Sequence, residues 1–393
     1  MIFQKFEDIE SSNFPVVIFG SGPAGITTAL ELENKKIPSI IIEAGNEEYN
    51  ENSQDVYKGS IIGDQLANLS SSRLRQLGGT SGHWGGWCKP LENYTLEDWP
   101  INKKDLDKYS NQTCAILNIK NKFNKSKLND YFNQIEYQYS GVRFGEKYKQ
   151  HIQKSKMIHL LMNCHLSHFE GENKTVTNAV CKINDSFKKI KSKYFILACG
   201  GIENSRVLLW TREKNKKLIS KNLPVGEYWM NHPWIISGIG VINKKKLRNK
   251  LGNNYLNYEG PLHFESTNKL IKEKKILSAA IYMSAKEDTK FYKEIIKDIL
   301  CIAPEYGKKI ARSVFKKDLK CGNIFMNLEE PALKNNKITL DNKERDKFDI
   351  PRVKLFYKQS KESLLTAKKF LEEFANLCRD EDLGRIAMKE NIY

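Results

Sequence analysis

The chain has 393 residues, with 64 Lys or Arg against 47 Asp or Glu and a formal net charge of +17. That length allows a large core and two domains, and a composition 40% hydrophobic and 28% charged excludes a disordered chain. No apolar run approaches the roughly 18 residues that cross a bilayer, so a helical membrane span is excluded.

The first 14 residues are a polar lead-in, MIFQKFEDIESSNF, which carries acids and lacks both an apolar h-region and a twin-arginine pair. The eight cysteines are scattered, with no C-x-x-C and no zinc-finger spacing. Reduced thiols and a cytoplasmic location are therefore expected. The cationic surplus has two readings. One is a solvated lysine surface, favoured by the even spread of lysines. The other is weak attraction to an anionic membrane surface or phosphorylated substrate. No nucleic-acid motif accompanies it.

Pro15 to Gly45 is the organising stretch. Val16 to Phe19 reads as a buried parallel strand, followed at once by Gly20, Ser21, Gly22, Pro23, Ala24 and Gly25 in G-x-G-x-x-G spacing. Ile26 to Leu32 has helical apolar spacing, and a second apolar run, Ser39 to Ile42, ends in Glu43. Strand, glycine turn, helix, strand and acid make a dinucleotide-binding βαβ fingerprint. Gly20 permits the tight turn, Gly22 lets the backbone approach a pyrophosphate, and Gly25 lets the helix pack on the strand. The helix N-terminus presents free N–H groups to the phosphates, and Glu43 accepts the ribose hydroxyls.

Residues 46–70 are polar and expected to loop over the surface. Arg73 to Leu91, RLRQLGGTSGHWGGWCKPL, has a glycine density that suits backbone running beside a ligand. DWPI marks a break at 98–101, and Asn102 to Leu117 reads as one amphipathic helix. Residues 118–150 are Lys/Asn/Tyr-rich and suit an excursion. Tyr194 to Ala198, Gly200, Gly201 and the helix from Ile202 form a second strand–glycine–helix unit of the kind that lines a cofactor. Beyond Trp234 the pattern turns to alternating strands: Ile235 to Val241, Ile276 to Met283, Cys321 to Leu328, Lys337 to Leu340 and Arg352 to Tyr357. A basic helix with an apolar face is expected over 285–320, an amphipathic helix over Lys361 to Arg379, and a short strand over Leu383 to Met388. The expected architecture is α/β, with a Rossmann-like dinucleotide-binding domain over 1–234 and a mixed, mainly antiparallel module over 235–393.

Four ordered motifs resemble the glucose–methanol–choline (GMC) family of flavin oxidoreductases: GSGPAG with Glu43; GGTSGHWGG, Gly78 to Gly86; ILACGGIENSRVLL, Ile196 to Leu209; and NHP, Asn231 to Pro233. DIPR at Asp349 to Arg352 is similar to a late segment of the family. The resemblance implies FAD, a PHBH-like two-domain fold, and oxidation of an alcohol or sugar CH–OH by hydride transfer to the flavin. An unidentified acceptor would reoxidise it. Carried over residue by residue, it assigns the cofactor to Gly20, Ser21, Gly22, Pro23, Ala24, Gly25 and Glu43, to Gly78, Gly79, Thr80, His83 and Trp84 in the loop over the flavin, to Leu166 at the adenine, and to Ala198 and Gly200. His83 stands where some family members bond a histidine to the flavin; the other reading is a histidine packed there without a bond.

The family's catalytic histidine lies near its C-terminus, whereas here no histidine follows His263 and the sequence stops at Tyr393. The expectation is a chain lacking that catalytic segment: a fragment, one piece of a split enzyme, or a noncatalytic flavin-binding protein. No catalytic residue is assigned. His232, beside the NHP motif, reads as a packed histidine at the domain junction, and His165 with His168 as residues flanking a strand edge rather than metal ligands.

Overall fold

The computed structural model describes residues 1–3, 6–10, 14–97, 99–183, 186–256, 261–283 and 319–389. The basic helix expected over 285–320 lies almost wholly outside them. Five parallel strands form the first sheet, in the order Ile2–Phe3, Ile158–Leu161, Ser39–Ile42, Val16–Phe19, Tyr194–Leu197. Both of its faces are covered, as a parallel sheet requires. Val17, Phe19, Ile40 and Ile42 pack with Phe169 and Val207 on one side. Ile18 and Ile41 pack with Ile26, Ala29, Phe144 and Ile152 on the other. The Val16–Phe19 strand continues through helix Pro23–Asn34 to Ser39–Ile42 on one flank, while Tyr194–Leu197 joins on the opposite flank. Strand order therefore reverses at its carboxyl end, and a crevice opens there.

A seven-stranded antiparallel sheet makes the second layer. Its order is Gly384–Met388, Trp234–Asn243, Leu319–Leu328, Ala279–Met283, Leu262–Ser266, Phe132–Ile135, Lys125–Lys127. Helix Lys361–Asp380, capped by the Ser360 hydroxyl accepting from the Ser363 amide, covers one face. Phe132 meets Phe370 and Phe374 at centroid distances of 5.0 and 5.1 Å, and each such buried ring contributes about 1.5–3 kcal/mol.

Three expectations change. The 118–150 stretch is not a detached excursion: it gives two strands to the seven-stranded sheet, and its helix Phe144–Lys154 packs against the parallel sheet. Residues 46–70 are not all loop, because Gly59–Gly63 pairs in parallel with Pro351–Tyr357. Asn102 to Leu117 is two helices, Lys103–Asp107 and Ser110–Leu117. Apolar spacing alone carries no sign of that break.

Buried charge ties helix Gly200–Lys214 to the separate small sheet that holds Gly59–Gly63 and Pro351–Tyr357. Arg206, 2% exposed, binds the Asp346 carboxylate at 2.6 Å and the Pro351 carbonyl at 2.8 Å, while Glu203 accepts from Arg73 at 2.8 Å. Burial opposes ionisation of Glu203, but Arg206 and Arg73 outweigh it and hold the carboxyl below its usual range. No described helix is long and apolar enough to cross a membrane.

Candidate active site

The crevice at the end of Val16–Phe19 is a cavity of about 790 Å³, within the usual size of a ligand pocket. Both strand–glycine–helix units open into it. Gly20 has φ +101°, and a Cβ there would lie 2.5 Å from the Ala198 carbonyl oxygen. A Cβ on Gly25 would sit on the Gly20 carbonyl oxygen, so the first helix turn packs on the glycine turn without a side chain between them. Gly22 and Gly200 differ: a Cβ on either meets nothing within 4 Å and points into open space. Those two positions leave room for a ligand, whereas Gly20 and Gly25 satisfy the chain's own packing.

Helices Pro23–Asn34 and Gly200–Lys214 both begin at this cavity, and neither has a side-chain cap. Their first-turn N–H groups thus remain for an anion. Glu43, 5% exposed, lines the cavity at the end of the second strand. Its Oε2 accepts from the Ser21 amide at 2.9 Å and the Ser21 hydroxyl at 2.6 Å, and its Oε1 accepts from the Gly45 amide at 2.7 Å. Three donors on a carboxylate with about four acceptor positions orient it and leave capacity for a ligand hydroxyl. Ser21 also accepts from the Gly78 amide at 3.2 Å. One buried hydroxyl therefore joins the glycine turn, the acid and the second glycine loop.

The second loop divides. Gly79 and Thr80 line the cavity, and a Cβ on Gly79 would lie 3.1 Å from the Gly22 Cα. Gly78, with φ +84°, backs the loop against Gly145. His83 is exposed and Trp84 half-buried, and neither is part of the cavity wall. Trp84 donates to the Val142 carbonyl at 3.0 Å and meets Phe144 edge-on at 5.9 Å, which fixes the loop to the helix beneath. Leu166, Ala198, Ser21, Pro23 and Ala24 all line the cavity. His232 is exposed and off the wall, although Tyr228, Trp229 and Met230 just before it form one end.

Several wall residues were not singled out from sequence for this site. Arg73 and Arg75 flank the glycine loop in RLRQLGG, and their alternation with apolar residues was the available signal. Arg73 packs over Tyr57 at 4.3 Å. Arg75 Nη2 donates to His165 Nδ1 at 3.3 Å. Burial, then the cations Arg75, Arg206 and Lys347, push His165 well below its ordinary pKa and keep it neutral. Burial, then Glu43 and Glu203, push the Cys199 thiol up, so it stays protonated and unreactive. The arrangement can bind a dinucleotide. The cavity's one described histidine is held by Arg75, and Glu203 is held by two arginines.

No family model matches the chain, and no curated protein matches its sequence. Solved structures do resemble it. A pyridoxine 4-oxidase from Mesorbium loti superposes with a TM-score of 0.57 at 11% identity, over 96% of this chain and 83% of that one. A formate oxidase superposes with a TM-score of 0.52 at 14% identity, over 96% of this chain and 84% of that one. The chain thus has the α/β fold of these oxidases, a Rossmann-like parallel layer joined to a mainly antiparallel layer.

Proposed function

We propose that the chain binds FAD and belongs to the GMC type of oxidoreductase, taking hydride from the CH–OH group of a small alcohol or sugar. The observation that carries this reading is one cavity receiving two uncapped helix N-termini and, at the end of the second strand, an oriented acid. FAD, when bound, supplies the hydride acceptor. Glu43 accepts the ribose hydroxyls, the first turns behind Gly22 and Gly200 hold the pyrophosphate, and Leu166 packs at the adenine. Gly79 and Thr80 bring the second loop toward the flavin. His83 stays unbonded, in keeping with its exposure off the cavity wall. We place the protein in the reducing cytoplasm, with its described thiols free.

Purified protein is expected to be yellow, with FAD at one per chain released into the supernatant by acid. Yellow colour held in the acid pellet, and lost from it in His83→Ala, would establish the bond to His83 instead. A folded protein that stays colourless after incubation with FAD sinks the cofactor reading.

A second reading is supported by the cavity's lack of a free histidine among the described residues. Here the chain holds flavin but does not turn over alone, and a separate polypeptide brings the base. Anaerobic mixing with alcohols, sugars and aldehydes separates the two. Bleaching by any donor supports the enzyme; a flavin that only dithionite reduces supports the holder.

A further inference from the structure

Beside the nucleotide cavity lies a second cavity, of about 420 Å³. Its wall carries Arg75, Lys182 and Lys347 and the amides of Asn46, Asn50 and Asn163, with no carboxylate among the described residues. Arg75 is the residue that demands explanation. It is 3% exposed, and its Nη1 donates to the Ser53 hydroxyl and its Nη2 to His165, while its Nε has no acceptor. All three partners or positions are neutral or empty of charge. His165, stacked on Phe348 at 4.6 Å, is neutral and supplies no counter-charge. No Asp or Glu bonds Arg75 directly among the described residues, although Glu43, Glu203 and Asp346 lie near enough to favour its charge. The buried Nε without an acceptor is costly, and the two lysines on the same wall add to the positive potential.

We propose that this cavity is an oxyanion site that takes a phosphate-class dianion, one of whose oxygens accepts from the Arg75 Nε. The proposal does not depend on flavin occupying the larger cavity. Arg75 and Ala44 line both cavities, and Ala44 follows the acid at the ribose position. The dianion therefore has two sources with the same chemistry: free inorganic phosphate, or a phosphate carried on the ribose of an adenine nucleotide. Asparagine amides suit either, since each donates to oxygen without adding negative charge.

Calorimetric titration of the purified chain, at constant ionic strength, tests the site. Inorganic phosphate, adenosine 2′,5′-bisphosphate and adenosine 5′-monophosphate are the probes. Saturable phosphate binding is expected, weakened roughly tenfold by Lys347→Gln or Lys182→Gln and unchanged by the remote Lys104→Gln. Arg75→Gln removes more but risks the fold, so the two lysine variants decide. A bisphosphate that outbinds the monophosphate only when Lys347 is present assigns the site to a ribose-borne phosphate. Phosphate binding with no such advantage assigns it to the free ion. The proposal is overturned if neither phosphate nor bisphosphate binds saturably, or if Lys347→Gln and Lys182→Gln bind as the parent does.

Discussion

Gly22 and Gly25 lie three positions apart and answer to different demands. Gly22 has φ −68°, which any residue adopts, and open space where a Cβ would go. Gly22→Ala is expected to leave the denaturation midpoint unchanged and to weaken FAD binding at least tenfold, read by fluorescence titration. Gly25→Ala must push the helix off the Gly20 carbonyl and is expected to cost about 1–3 kcal/mol of stability, read by urea unfolding. These roles were legible because each is a demand of local chain geometry. The pairing of Arg75 with His165 was not, since the partners are 90 positions apart. His165 also sets a pH dependence. Its folded pKa lies well below the ordinary value near 6.5, so the unfolded state binds a proton that the folded state refuses. Its contribution is complete above about pH 6.5 and is lost as pH falls below it, at about 1.4 kcal/mol per pH unit. His165→Gln, which keeps an acceptor for Arg75, is expected to remove that slope between pH 7 and 5.

At the scale of elements, the parallel strands were readable because burial on both faces leaves unbroken apolar runs, VVIF and SIII. The 125–135 strands were not. Lys125–Lys127 (KSK) is wholly polar and Phe132–Ile135 (FNQI) has two polar residues at its centre; Phe132–Ile135 is held as a strand by Leu262–Ser266 on one side, and Lys125–Lys127 pairs on its other side. Helix Gly200–Lys214 is held to the Pro351–Tyr357 strand by Arg206 and by Ile202 and Leu209, which pack with Val353 and Leu355. Arg206→Met strands the buried carboxylate of Asp346, leaves Glu203 with Arg73 alone, and is expected to cost about 3–5 kcal/mol, seen as an earlier denaturant midpoint. A loss below 1 kcal/mol would show that water reaches those carboxylates.

Across the whole molecule, the first half of the chain gives strands to the antiparallel layer rather than merely touching it. Lys89, just after the glycine loop, pairs with Glu265 on the antiparallel sheet at 2.7 Å, and Glu265 pairs with Lys125 at 2.9 Å. Residues 1–234 expressed alone would carry Phe132 and Gly59–Gly63 without their partners. That piece is expected to aggregate or lack a cooperative unfolding transition, checked by size exclusion and circular dichroism; a monodisperse, FAD-binding piece would contradict it. The sequence readily indicated two textures along the chain, but not that the middle of the first half is built into the second, because strand pairing at long range leaves no local mark. The pairing of Gly59–Gly63 with Pro351–Tyr357, locked by Asp55 and Arg352 297 positions apart, has a consequence in time. At about 5–20 residues per second on the ribosome, the early strand waits roughly 15–60 s for its partner to be made. For that interval an unpaired edge is presented to the cell, so yield should depend on chaperone supply and growth temperature more than the finished molecule's stability suggests.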